Sequence, residues 1–331
     1  MEKKKDHILV INSLRGIAAF SVVLYHFIVT TQDFIHTPWI RNTFDYGQRG
    51  VQLFFIISGI VIPLSMIKSN YTLKQWMTFL LKRFIRIEPP YLVAIALGVI
   101  YLIGRNYIPG TVAVDLTPSA KDVALHLGYL VPFFEDVRWI NDVFWTLAVE
   151  FQYYLVLSVI IPLVLSNKIG LRILFYAIFI GAGFSGYNYE FFPHWAPYFL
   201  IGIGYILFRK NKIKLIEFTI LELVLLVVNY YLLDLVDVGI AIVAIGIIHF
   251  GSDLKTRVTL FLGKVSYSLY LIHSIIGAAF INYLSHHVDT FWQKSVVILI
   301  GLAISIFSAW LLYRFVEKPT HQYAKKIGQK A

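Results

Sequence analysis

Uncharged apolar runs recur along this chain, and several approach the length of a bilayer. Val93–Ile103, Leu221–Leu233 and Ile298–Leu312 carry almost no charge. Crossing a hydrocarbon core of about 30 Å takes roughly 20 helical residues. An ordinary soluble domain has about 25% charged residues, whereas this chain has 15% charged and 58% hydrophobic residues. It is therefore short of water-compatible surface. A soluble enzyme, a coiled coil and a disordered tail are excluded. The expected fold is all-α: a polytopic transmembrane helix bundle forming a single domain over 1–331.

Ten candidate spans follow from the apolar runs: Ile8–Thr30, Val51–Ile67, Pro90–Gly104, Phe144–Leu165, Leu171–Ser185, Trp195–Phe208, Leu215–Leu233, Val238–Phe250, Val258–Leu284 and Val296–Phe315. The shorter ones would depend on neighbouring helices or local thinning of the bilayer. An even number of spans puts both termini on one side. With the termini cytoplasmic, 23 of the 29 Lys and Arg residues fall inside, as the positive-inside bias requires. The net charge of +10 is then a topology signal, and no nucleic-acid partner is expected. Glu2-Lys3-Lys4-Lys5 before an apolar run resembles a signal peptide, but Arg15 interrupts the run and no small-x-small site follows. An uncleaved first span is expected. The longest outer connection is Arg105–Asp142. Within it, Ser119–Leu130 has a helical apolar stripe at Val123, Leu127 and Leu130, suited to lying in the membrane interface.

The chain has no cysteine, which excludes disulfides, thiolate metal sites and a cysteine acyl carrier. No phosphate-cradling loop, dinucleotide fingerprint, HExxH or serine elbow occurs, and no metal site is expected. Any chemistry must come from polar groups inside the bundle, where ionisable residues are costly and usually functional.

The first span, INSLRGIAAFSVVLYHF, holds Arg15 and His26 eleven residues apart. Eleven steps of 100° return to within about 20° of the start, with an axial separation of roughly 16 Å. The two side chains share a face, with His26 near mid-depth if Arg15 stands at the cytoplasmic boundary. His26 alone could be a packing histidine, but its place beneath an arginine favours function. In the fourth span, VFWTLAVEFQYYL, Glu150 lies eight residues past Asp142, roughly 12 Å deep and in the same layer as His26. A carboxylate there needs a partner. It could orient the imidazole and raise its basicity, or simply close the bundle as an ion pair. In LLKRFIRIEPPYL, Arg83 and Arg86 are three apart and share a face. They suit bidentate phosphate binding, although basic residues at cytoplasmic helix ends are also ordinary topology signals. The ninth span, GKVSYSLYLIHS, offers Ser268, Tyr270 and His273 as supporting groups, with packing an equal alternative for His273.

These segments resemble the acyltransferase 3 family of integral-membrane acyltransferases. The matching features, in order, are LRGIAAFSVVLYH, GVQLFFIISGIVI, RFIRIEPPY, WTLAVEFQYY, SYSLYLIH and RFVEKP, and they cover almost the whole chain. The resemblance implies an enzyme of about ten membrane helices that moves an acyl group, usually acetyl. The donor is cytosolic acyl-coenzyme A, and the acceptor is a hydroxyl of a cell-surface or exported glycan, free or lipid-linked. Arg15 and His26 correspond to the family's first-helix pair, Arg83 and Arg86 to its Arg-x-x-Arg motif, and Glu150 to the acidic residue of its fourth-span motif.

Some members carry an extracytoplasmic hydrolase-like domain. The chain stops at Ala331 without one, so handover is expected within the membrane domain or with a separate partner. Arg15, Arg83 and Arg86 would hold the phosphates of the donor, which binds as substrate rather than as a permanent cofactor. His26 would act as base or acyl carrier, with Glu150 holding its tautomer. The expected location is the cell (inner or plasma) membrane, among its lipids. A transporter or flippase for a lipid-linked sugar is the alternative, although no inverted repeat is visible. A non-catalytic scaffold is a further alternative.

Overall fold

The computed structural model describes residues 2–31, 34–107, 116–251 and 256–327, and all regular structure among them is helical. Asp115 of the outer connection, and Lys255 and Lys330 of the charge count, lie outside the described residues. The helices are α1 (Glu2–Tyr25), α2 (Pro38–Asp45), α3 (Gly50–Lys68), α4 (Trp76–Arg105), α5 (Ala120–Leu127), α6 (Trp145–Leu165) and α7 (Ile169–Gly183). They continue with α8 (Phe192–Arg209), α9 (Leu215–Leu232), α10 (Leu235–Phe250), α11 (Arg257–His273), α12 (Ala279–Ser285), α13 (Phe291–Leu312) and α14 (Lys318–Lys326).

Each of the ten apolar runs is helical. Seven helical stretches among the described residues are long and apolar enough to cross a membrane: Leu9–Thr30, Pro38–Lys68, Leu73–Arg105, Asp142–Leu165, Leu215–Leu232, Arg257–Ser285 and Phe291–Lys326. The other three runs fall on α7 and α10, which are shorter, and on α8. Helix α8 is buried on every side from Trp195 to Leu207, as expected of an interior helix that is apolar all round. Internal prolines at Pro63, Pro89, Pro90, Pro162 and Pro197 are tolerated because neighbouring helices re-satisfy the freed backbone groups.

The chain separates into two compact units. The first comprises Met1–Ala18, Arg49–Leu80 and Val149–Gly263, and α8 is its centre. Glycines bring α3 against α8. A Cβ on Gly59 would lie 2.2 Å from the Phe199 carbonyl oxygen, and one on Gly202 would lie 2.2 Å from that of Ile56. Small residues of this kind let membrane helices approach closely enough for dispersion to hold them. Two arginines of the unit are paired with carboxylates. Arg49 bonds Asp234 at 2.6 Å and also Asp237, and Arg172 grips both oxygens of Glu217 at 2.7 Å.

The second unit comprises Ala19–Gln48, Leu81–Ala148 and Lys264–Ala331. It contains three single π-helical turns, His26–Thr30, Ser274–Ala278 and Tyr313–Glu317. A Cβ on Gly277 would lie 2.1 Å from Ser305 Oγ and 2.2 Å from the Phe27 ring. The first two π turns and α13 therefore meet at this glycine. The connection after α4 is anchored on its own unit. Ser119 and Asp122 form the capping box that starts α5, and His126 and Tyr129 are buried. The Tyr129 hydroxyl bonds Glu88 at 2.6 Å, seventeen residues before the end of α4 or about 26 Å along its axis. The connection thus returns along α4 on its His126 and Tyr129 side, while Leu127 and Leu130 of its apolar stripe stay exposed.

Candidate functional site

Of the eight residues singled out from sequence, Arg15 and Glu150 belong to the first unit and His26, Arg83, Arg86, Ser268, Tyr270 and His273 to the second. In the second unit, the two histidines come together. The rings of His26 and His273 lie with centroids 5.0 Å apart and planes inclined at 54°. Phe27 borders the same ring of His273 at 6.4 Å. Each histidine marks a change of helical pitch: His26 opens the first π turn, and His273 ends α11 immediately before the second. Such turns are rare and concentrate at functional positions, because the extra residue re-aims side chains.

The hydrogen bonds set the tautomer of each imidazole. Thr30 and Thr31 both donate to the His26 carbonyl, at 3.0 Å and 2.8 Å, and with its proton there the Thr30 oxygen accepts from His26 Nδ1, 3.3 Å away. In that arrangement His26 carries its proton on Nδ1, and Nε2 keeps a lone pair. His26 is half-buried, which leaves it approachable. His273 Nδ1 lies 3.1 Å and 2.9 Å from the carbonyl oxygens of Leu269 and Tyr270. Carbonyls only accept, so Nδ1 is again the protonated nitrogen. His273 is fully buried, and its Nε2 has no hydrogen-bond partner among the described residues. Two neighbouring imidazoles thus both retain an Nε2 lone pair, the atom that a base or nucleophile needs.

The other groups have separate settings. The Glu150 carboxylate accepts hydrogen bonds from Ser58 at 3.0 Å and from Tyr154, one turn along α6. Ser268 is buried and donates to Glu317 Oε2 at 2.6 Å, so it braces α11 against the third π turn rather than joining the histidines. The Tyr270 hydroxyl lies 3.0 Å from Thr146 Oγ1, and Asn141 donates to the Leu271 carbonyl at 3.0 Å. Together these contacts fix the end of α11, and with it His273. Arg83 is buried and Arg86 half-buried on α4. Arg86 forms no ion pair among the described residues, and Arg15 is half-buried on α1.

Sequence reasoning passed over Glu88, Tyr129 and His126. Glu88 stands two residues past Arg86 in the same motif and is buried, so a carboxylate in that apolar stretch was the available signal. His126 uses both ring nitrogens. Nδ1 donates to the Asp122 carbonyl at 2.7 Å, and Nε2 accepts from the Ile140 N–H at 3.0 Å. It ties the two arms of the returning connection to each other. Burial holds its pKa below the ordinary 6.5, against the opposing pull of the Asp122 backbone and charge.

The Acyl_transf_3 family model, described as an acyltransferase domain, matches residues 8–314. A Staphylococcus aureus (strain COL) protein named "Putative O-acetyltransferase" is 23% identical over 96% of this chain and 58% of its own length. A protein of the same name from S. aureus strain MW2 is 22% identical over the same shares. The chain spans little more than half the length of these curated relatives. No solved structure matches it significantly.

Proposed function

This chain belongs to the acyltransferase 3 family, and from that premise we propose that it is a membrane-embedded O-acyltransferase. It moves an acyl group, most simply acetyl, from cytosolic acyl-coenzyme A to a hydroxyl of an extracytoplasmic or exported glycan, free or lipid-linked. It resides in the cell membrane with ten spans, both termini cytoplasmic and Arg105–Asp142 outside. The 23-to-6 division of Lys and Arg supports that topology, and the names of the S. aureus relatives support the reaction.

The observation that carries the reading is the His26 Nε2 lone pair. It is fixed by the Thr30 contact to Nδ1 at the opening of a π turn. His26 acts as general base. The acceptor O–H bond breaks as its proton passes to Nε2, the alkoxide oxygen bonds the thioester carbonyl carbon, and the C–S bond breaks. The proton held on Nε2 then passes to the departing thiolate. The Thr30 contact keeps the ring in one orientation throughout, the positioning on which such transfers depend. Arg15, Arg83 and Arg86 bind the donor's phosphates, and Glu150, which matches the acidic residue of the family's fourth-span motif, raises the basicity of His26, whose tautomer Thr30 holds.

Membranes holding the protein, incubated with acetyl-labelled coenzyme A, test the reading. Release of free coenzyme A with label in the glycan fraction is expected. No donor consumption in the presence of cell-envelope glycan would contradict it. Label retained on the protein itself would replace the base with an acyl-carrying imidazole.

A further inference from the structure

A buried acceptor with nothing to accept is costly, and it persists where something else is gained. His273 Nε2 is such an atom. Its ring is wholly buried 5.0 Å from that of His26. Its Nδ1–H points at two backbone carbonyls, so the other tautomer would set the Nδ1 lone pair against two carbonyl oxygens. The surroundings reinforce that setting. Tyr270 against Thr146, Asn141 on the Leu271 carbonyl and Ser268 on Glu317 all hold the last two turns of α11, which end at His273. The π turn that follows is locked by Gly277, where a side chain would strike Phe27, the residue next to His26.

We propose that His273 is a positioning residue for the transfer. Its Nε2 lone pair receives a hydrogen bond from His26 Nε2–H once His26 has taken the acceptor's proton. The proton is then shared between two imidazoles until it leaves with the thiolate, and no further group is consumed. A charge-assisted bond of this kind is stronger than a neutral one, and it stabilises the imidazolium only after it forms. It therefore acts on kcat rather than on KM. The inference rests on His26 being the base and adds a partner within its own unit.

Two substitutions separate this role from packing. In His273→Asn the amide nitrogen can replace Nδ1–H on the Leu269 and Tyr270 carbonyls, but nothing stands at the Nε2 position. In His273→Gln the amide oxygen can stand near Nε2 as an acceptor, but the Nδ1–H bonds are lost. For the full chain in detergent, kcat is expected to fall about 10- to 100-fold in the Asn variant with KM for acetyl-coenzyme A unchanged. His273→Gln is expected to retain the higher kcat of the two. A kcat for Asn equal to or above that for Gln would overturn the proposal.

If neither variant folds, the 15N imidazole spectrum of the histidine-labelled wild-type protein decides. Both Nε2 atoms are expected to be unprotonated, and a proton on His273 Nε2 would overturn the proposal. His26→Ala, measured alongside, tests the parent reading separately. Full activity there removes His26 as base whatever the His273 variants do.

Discussion

The Tyr129 hydroxyl donates a 2.6 Å hydrogen bond to Glu88 across forty-one positions of sequence. Tyr129 closes α5 in a Schellman arrangement: its N–H reaches the His126 carbonyl and that of Leu130 reaches Leu125. Its φ of 56° is the left-handed conformation for which glycine is the usual choice. Its ring stacks on Tyr91 with centroids 5.1 Å apart, so the side chain has a use that glycine could not supply. Tyr129→Phe keeps the stack but removes the donor to a buried carboxylate. A loss of about 1–3 kcal/mol is expected, seen as a lower Tm of the purified protein. An unchanged Tm would mean that Glu88 finds another donor without cost.

His126 makes the returning connection sensitive to pH. Both nitrogens are engaged in the neutral tautomer, and protonation would set an Nε2–H against the Ile140 N–H. The folded-state pKa lies below 6.5 because of burial, so the stabilisation is complete above about 6.5. It is lost as pH falls from there toward the lowered folded value. Hydrogen exchange at 116–142 is expected to quicken over that interval. In His126→Gln the exchange should be faster throughout and lose this pH-dependent component. A pH-independent wild-type profile would contradict the assignment.

The apolar helices were legible because membrane burial requires continuous apolar sequence, and α5 was legible from the helical spacing of Val123, Leu127 and Leu130. The pairing of His26 with His273 was not. Each is a lone histidine in an apolar run, 247 positions from the other, and periodicity speaks only within a helix. The tautomers depend on Thr30 and on backbone carbonyls at π turns, for which local sequence carries no strong signal. The anchoring of the α5 connection on Glu88 was hidden for a related reason. Its stripe at Val123, Leu127 and Leu130, of which the last two are exposed, says nothing of the other face, where His126 and Tyr129 are buried and Tyr129 meets Glu88 and Tyr91.

The α3–α8 crossing leaves no room for a side chain. A Cβ at Gly202 would sit 2.2 Å from the Ile56 carbonyl oxygen, and 2.9–3.0 Å from the backbone of Gly59. Because backbone cannot move aside cheaply, Gly202→Val is expected to abolish recovery of monodisperse protein. Gly181→Val, at a position with nothing within 4 Å, should be tolerated. Size-exclusion profiles of the two variants side by side check this, and a well-behaved Gly202→Val would contradict the close packing.

Arg83 and Arg86 should differ although both belong to one motif. Arg86 is half-buried with no ion pair among the described residues, so Arg86→Ala is expected to weaken coenzyme A binding by about 1.5–3 kcal/mol with little change in Tm. Arg83 is buried, and Arg83→Ala should weaken binding and also lower the Tm. Calorimetric titration with coenzyme A and thermal unfolding on the same preparations separate the two. Unchanged affinity in both variants would reduce the pair to topology signals.

His26→Gln tests the central claim most directly. Glutamine keeps a hydrogen-bonding group of similar reach but cannot take up the acceptor's proton. General base catalysis is typically worth about 10²–10⁴-fold, so initial rates of acetyl transfer should fall by that factor. Insertion and Tm should stay close to wild type. A folded, inactive His26→Gln protein is the expected result. A folded His26→Gln protein that transfers acetyl at near wild-type rate would contradict the catalytic role of His26.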